Sequence, residues 1–302
     1  MRPTHTALLS SLRRSLAVCA FGGMLALPKF AAAQAPSGVM KQDAATSGKA
    51  DVASEGFATA VTDKNKDDAT EAKIQAGALG ASGNSRSLAL TAMASVRARR
   101  AANELSAAAA ANYGRSAATP DAATQTTMEN YQGKLRYDRF VSDPMALFIS
   151  LSGRRDRFQG LDLRLNMDPG LAYYFVQDPK HQLWGEAGYD LQFDIRRNSA
   201  IAAGIASGQN LEKTDVRHSA RLFAGYKNNL NENVQFNTGV EYLQGLQDTK
   251  FWRFNWDVGL SAAIATHFSL ASTFSLRYDN SPLPGIKTTD TLTAFNLVYT
   301  LL

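Results

Sequence analysis

The sequence predicts an all-β protein: a transmembrane antiparallel up-and-down β-barrel of about 12 strands with a flexible N-terminal extension. Three observations predict it. From about residue 71, apolar residues recur at every second position in segment after segment. The connections between those segments alternate between short and long. A secretory leader precedes them.

The leader comes first in the chain. Residues 1–33 carry Arg2, Arg13, Arg14 and Lys29 and no acid. An uncharged stretch, 16–28, follows the Arg13-Arg14 pair, and Ala31-Ala32-Ala33 supplies the small residues a signal peptidase needs. Cleavage is expected before Gln34. The stretch is too short for a membrane helix, which needs roughly 20 residues. Twin-arginine export lacks the rest of its signal, and Val18 before Cys19 is too large for a lipoprotein site. The chain has 32 basic and 27 acidic residues. Without the leader the balance is 28 to 27, so a nucleic-acid partner is not expected. Cys19 is the single cysteine and leaves with the leader, which suits an oxidising compartment.

Residues 34–70 are rich in Ala, Ser, Lys, Asp and Thr and lack apolar periodicity. They read as a low-complexity periplasmic extension. Residues 71–302 form the barrel domain. In 250–264, Trp252, Phe254, Trp256, Val258 and Leu260 share one face, opposite Arg253, Asn255, Asp257, Gly259 and Ser261. A strand separates these residues into two sides, whereas a helix would scatter them. The same alternation runs through 72–81, 85–97, 104–113, 128–140, 145–155, 160–176, 182–194, 214–227, 233–243, 267–278 and 290–301. The Ala-rich run 107–111 is equally compatible with a helix. In 160–176, Leu161, Leu163 and Leu165 are expected on one face and Asp162 and Arg164 on the other.

Loop length is an independent test. Every second connection is short: 99–103, 142–144, 178–180, 228–232 and Thr266. The other set holds the three longest, near 114–127, 195–213 and 279–289, rich in Gly, Ser, Pro, Asn and Asp. Transmembrane barrels place short turns in the periplasm and long loops outside. A soluble sandwich also alternates, but its apolar face lies in a core. Here the polar faces carry charges deep inside strands, and aromatic residues gather near segment ends, as in lipid-facing bands with aromatic girdles. The oily side, exemplified by Trp252, Phe254, Trp256, Val258 and Leu260, is therefore assigned to lipid.

Particular runs then carry a resemblance. Gly83-Asn84-Ser85 precedes the second strand. Lys134-Leu135-Arg136-Tyr137-Asp138-Arg139-Phe140 is followed by Gly153-Arg154-Arg155-Asp156-Arg157-Phe158-Gln159-Gly160-Leu161-Asp162-Leu163-Arg164. Later come Arg277-Tyr278-Asp279-Asn280-Ser281-Pro282 and Lys287-Thr288-Thr289-Asp290-Thr291. Over about 72–302 the chain resembles the YdiY-like family, domain of unknown function 481, described as salt-induced outer membrane proteins. The resemblance implies a Gram-negative outer-membrane barrel and brings no established activity. Phe295, Leu297, Tyr299 and Leu301 alternate as barrel C-termini do, but Leu302 adds one residue.

No catalytic, cofactor or metal site is expected. His181, His218 and His267 show no ligand spacing and have no Cys beside them. His218 and Ser219 are adjacent strand residues and point to opposite faces, so they cannot form a nucleophile–base pair. What remains is a polar interior: Lys134, Arg136, Asp138, Asp162, Arg164, Glu186, Asp190, Asp194, Arg217, Arg221, Glu241, Arg253 and Asp257 are all expected to line the lumen. Such balanced charges suit a cross-barrel salt-bridge network, or the lining of a narrow pore. The 154–157 arginine cluster is a candidate contact for lipopolysaccharide phosphate. Expected partners are outer-membrane lipid, lipopolysaccharide and, during biogenesis, the barrel-assembly machinery. Three functional classes follow: a structural or envelope-stress barrel with narrow passive transport, a surface ligand-binding or adhesion barrel, and a lumen-based hydrolase that the histidine positions disfavour.

Overall fold

The computed structural model describes residues 69–82, 86–119 and 121–301. The leader and nearly all of the expected extension lie outside the described residues, as do Gly83, Asn84, Ser85 and Leu302. Twelve strands follow one another: β1 Ala69–Ala81, β2 Arg86–Arg100, β3 Asn103–Ala117, β4 Gln125–Ser142, β5 Met145–Asp156, β6 Leu161–Gln177, β7 His181–Arg196, β8 Thr214–Asn229, β9 Val234–Gly245, β10 Trp252–Ala265, β11 Phe268–Asp279 and β12 Thr289–Thr300. Each pairs antiparallel with its neighbours in sequence, and β1 pairs with β12 (Lys73 opposite Thr300, Ala76 opposite Leu297) to close the barrel. Closure gives every strand two partners, the seam itself running over Lys73–Ala76 and Leu297–Thr300.

The Ala-rich run in β3 is strand. Its alanines pair on both sides, with Met93 and Ala94 of β2 and with Gln132 and Gly133 of β4. Sheet pairing overrides helix propensity here.

Connections 101–102, 143–144, 178–180, 230–233 and 266–267 lie at one end, and 118–124, 157–160, 197–213, 246–251 and 280–288 at the other. We call these the short-turn and long-loop ends. The 197–213 connection, read from sequence as a plain loop, contains a helix, α1, Asn198–Ala206. Its composition explains this: NSAIAAGIA is mostly Ala and Ile, with no proline. The Ser207 hydroxyl donates to the carbonyls of Ala203 and Gly204, and Gly208 at φ 78° ends the helix in the left-handed conformation. Gly160, at φ 70°, lets the β5–β6 turn, α1 and the 280–288 loop meet over the mouth. A Cβ there would lie 2.8 Å from Ala200 Cβ and 3.4 Å from Leu283 Cδ1.

Side chains sort by alternation. Leu90, Leu135, Leu151, Leu165, Leu222, Leu260, Leu270 and Leu297 are exposed on the outer face. Trp256 is exposed among them, and Phe254 and Val258 share its parity. Aromatic rings gather at both rims. Trp252 stacks on Tyr278 at 4.7 Å and lies 6.1 Å from Tyr242 at the long-loop end. Phe268 and Tyr299 lie 4.9 Å apart at the other. An apolar belt between two aromatic rings is the exterior a bilayer requires. No helix among the described residues is long and apolar enough to cross a membrane.

Val258 sits mid-strand on the outer face, paired with Thr238 and Phe274, while Ser261 faces inward. Val258→Arg should cost about 2–4 kcal/mol of stability in lipid, and Ser261→Arg less. Urea titrations of the two variants refolded in vesicles check this ordering.

Candidate functional site: the charged lumen

The interior is layered. Nearest the short-turn end, Phe140, Ala146, Phe148, Ala172, Tyr174, Trp184 and Phe223 form a buried apolar cluster on the inner wall. Small residues make room for it. The Trp184 ring lies across Gly225, where a Cβ would come within 2.1 Å of Cζ2. The Phe148 ring covers Gly170 in the same way.

Above the cluster lies an ion network. Arg136 on β4 is bidentate to Asp138 (2.7 and 2.9 Å) and reaches across to Glu186 on β7 (2.8 Å). Glu186 accepts a second guanidinium from Arg221 on β8 (2.7 Å), and Arg221 also donates to Glu241 on β9 (2.6 Å). Asn255 on β10 donates to the other oxygen of Glu241 (2.8 Å). The chain of contacts thus spans strands β4 to β10. Arg136, Asp138, Glu186 and Arg221 are all buried. Arg136 also sits 4.1 Å over the Phe148 ring, tying the charges to the cluster below. Buried charges survive only when paired and hydrogen-bonded, and each member here has at least one charged partner.

Further pairs fill the wall. Arg164 is bidentate to Asp194, both bonds 2.7 Å. Asn166 donates to Asp190 (2.5 Å), and Arg253 reaches its other oxygen at 3.4 Å. Asp215 accepts from Arg217 (2.7 Å) and Arg196 (2.8 Å). Asp257 holds Arg277 (2.8 Å) and the Ser275 hydroxyl. Toward the long-loop end the lumen widens into a vestibule of ≈ 220 Å³, with Lys134, Asp168 and Arg253 in its wall and Leu283 and Ile286 of the 280–288 loop at its mouth.

Of the thirteen residues expected to line the lumen, the structure places Asp162 elsewhere. The register slips between Leu161 and Leu163 against β7, a bulge that turns Leu161 inward, where it is 2 % exposed. Asp162 moves to the rim, with its side chain 40 % exposed, and pairs with Arg197 (3.1 Å) and Lys213 (3.0 Å). The 154–157 arginines also divide. Arg154 lines the vestibule and bonds Gln132, Arg155 points outward, and Arg157 pairs with Glu129 at the rim. His218 faces outward, bonded to the Tyr189 hydroxyl, while Ser219 is buried inside. Among the described residues no group of three His, Cys, Asp or Glu is arranged to hold a metal ion.

Sequence reading missed the inward aromatic cluster. The signal was present: Phe148, Tyr174, Trp184 and Phe223 have the parity of the charged residues on their strands.

Removing Glu186 takes one of two carboxylate partners from each of two buried guanidiniums, leaving Arg136 with Asp138 and Arg221 with Glu241. Glu186→Leu should lower stability by about 2–3 kcal/mol, the loss of charge-assisted bonds to two guanidiniums that each keep a partner, while Arg157→Ala at the exposed rim should cost under about 1 kcal/mol. Equilibrium unfolding in detergent reads both. Gly225→Ala should displace the Trp184 ring at a cost of about 1–3 kcal/mol. A red shift of Trp184 emission, in a background with Trp252 and Trp256 replaced by Phe, reports it.

Residues 74–301 match the family model described as "Protein of unknown function, DUF481". No curated protein matches the chain. Similar solved structures include the NanC porin, at 10 % identity and TM-score 0.47, covering 77 % of this chain and 100 % of that one. Another is the translocator domain of the autotransporter NalP from Neisseria meningitidis, at 14 % identity and TM-score 0.39, covering 78 % and 88 %. A third is the KdgM porin, at 8 % identity and TM-score 0.40, covering 78 % and 99 %.

Proposed function

This chain belongs to the DUF481 family, and we propose that it is an integral outer-membrane barrel acting as a narrow channel for small hydrophilic solutes. The closed ladder and the apolar belt support the membrane setting, since each strand pairs with a neighbour on both sides without needing water at its edges. The short-turn end faces the periplasm and the long-loop end faces outward, following the loop asymmetry of such barrels. Lipid surrounds the belt, and Arg155 and Arg157 stand where lipopolysaccharide phosphates would meet the rim.

One observation carries the channel reading. A charged vestibule descends from the long-loop end to a bridge of paired side chains, Arg136–Glu186–Arg221, that crosses from β4 to β8. Pores select with charged constrictions of this kind. The bridge sets the bore, and the vestibule admits solute to it.

Planar-bilayer recording tests this. The full chain should give discrete conductance steps, and Glu186→Ala, which breaks the bridge, should enlarge them and shift the reversal potential in a KCl gradient toward anions. Absence of steps from both proteins, each shown to be folded by its heat-shifted migration on gels, would refute the channel reading and leave a structural envelope role.

A further inference from the structure

The vestibule floor holds two ionisable groups that make no ion pair among the described residues. Its guanidiniums are committed: Arg221 to Glu186 and Glu241, Arg164 to Asp194, Arg253 to Asp190. Lys134 on β4 lines the same cavity, yet among the described residues it has no hydrogen-bond or ion-pair partner. Asp168 on β6 lines it too. Its Oδ1 is buried with no donor, and the side chain that its carboxyl group hydrogen-bonds is another acid, Asp190, not a cation.

The register places these two groups. Lys134 pairs with Ser152 of β5, and Ser152 with Asn166 of β6. Asp168 is the next inward residue along β6 after Asn166. Two strand spacings, about 10 Å, separate the backbones of β4 and β6. The ammonium and the carboxylate converge on one cavity but do not meet within ion-pair distance. A buried acceptor without a donor is costly, and native proteins leave few of them. An ammonium without an ion-pair partner and a carboxylate oxygen without a donor, both beside a cavity, are therefore available to whatever enters it.

We propose that the vestibule floor binds a small zwitterion, whose carboxylate is held by Lys134 and whose ammonium is held by Asp168. A free α-amino acid has this chemistry: both charges on one short backbone, in the order the two strands present their complements. A simple anion would leave Asp168 without a donor, and a simple cation would leave Lys134 without an acceptor. The inference deepens the channel reading and rests on it only for access from outside.

Three probes of matched size separate the alternatives: alanine, propionate and ethylamine. Binding to the full chain folded in detergent is measured by saturation-transfer NMR and calorimetry. Alanine should bind about tenfold or more tightly than either single-charge probe, the effect of one charge-assisted contact. Lys134→Gln and Asp168→Asn should each weaken alanine about tenfold, and Lys134→Arg should retain it, with heat-shifted migration confirming that each variant is folded. Propionate binding as tightly as alanine, indifference of alanine to both variants, or no binding of any probe would overturn the inference. Alanine binding without bilayer conductance would overturn the channel reading alone. Conductance without alanine binding would overturn only the zwitterion site.

Discussion

Every other feature of this protein depends on the pairing of β1 with β12. Hydrocarbon offers no partner to a peptide group, so a sheet in a bilayer must satisfy its own edges. Joining the first strand to the last does so, and it also creates an inside and an outside. Period-two alternation then acquires its meaning. One side chain in two meets lipid tails and the next meets the lumen. The same residue types on an open sheet would make an aggregating edge rather than a wall.

The inside follows from that division. A barrel of twelve strands is too wide to be filled by one layer of apolar side chains, and its wall is lined by groups of both signs. The chain meets this with two materials. Near the short-turn end, rings pack over glycines, as Trp184 does over Gly225. Above them, arginines link carboxylates drawn from strands that are not neighbours, as Arg136 of β4 does with Glu186 of β7. The guanidinium suits this task because it stays charged and offers several donors in one plane. The stacking of Arg136 on Phe148 shows the two materials joined.

Much of the fold was legible in the sequence because period two is a local signal. Trp252 through Leu260 announce a strand with no knowledge of their neighbours, and the alternation of loop lengths orders the strands. What was hidden depended on contacts between distant residues or on a break in the local rule. The bulge at Leu161–Leu163 shifts the parity of a single residue, so Asp162 left the lumen for Arg197 and Lys213. The helix in 197–213 lay within a stretch whose Asn, Ser and Gly read as loop, although its centre was rich in Ala. The inward aromatics went unrecognised because rings on these strands were assigned to lipid, and parity alone distinguishes Trp184 inside from Trp256 outside. That Lys134 and Asp168 make no ion pair is visible only by subtraction, once the other ion pairs in the vestibule are known.

The central claim is that hydrocarbon solvates the outer face of this sheet while the inner face is closed to it. Trp256 and Trp184 sit on opposite sides of the same wall, the first exposed outward and the second 2 % exposed inside. The direct measurement is fluorescence quenching by lipids brominated along their acyl chains, with single-tryptophan versions of the chain reconstituted in vesicles. The account predicts strong quenching of Trp256 and almost none of Trp184. Equal quenching of the two, or a Trp256 reached by aqueous iodide but not by bromolipid, would contradict it.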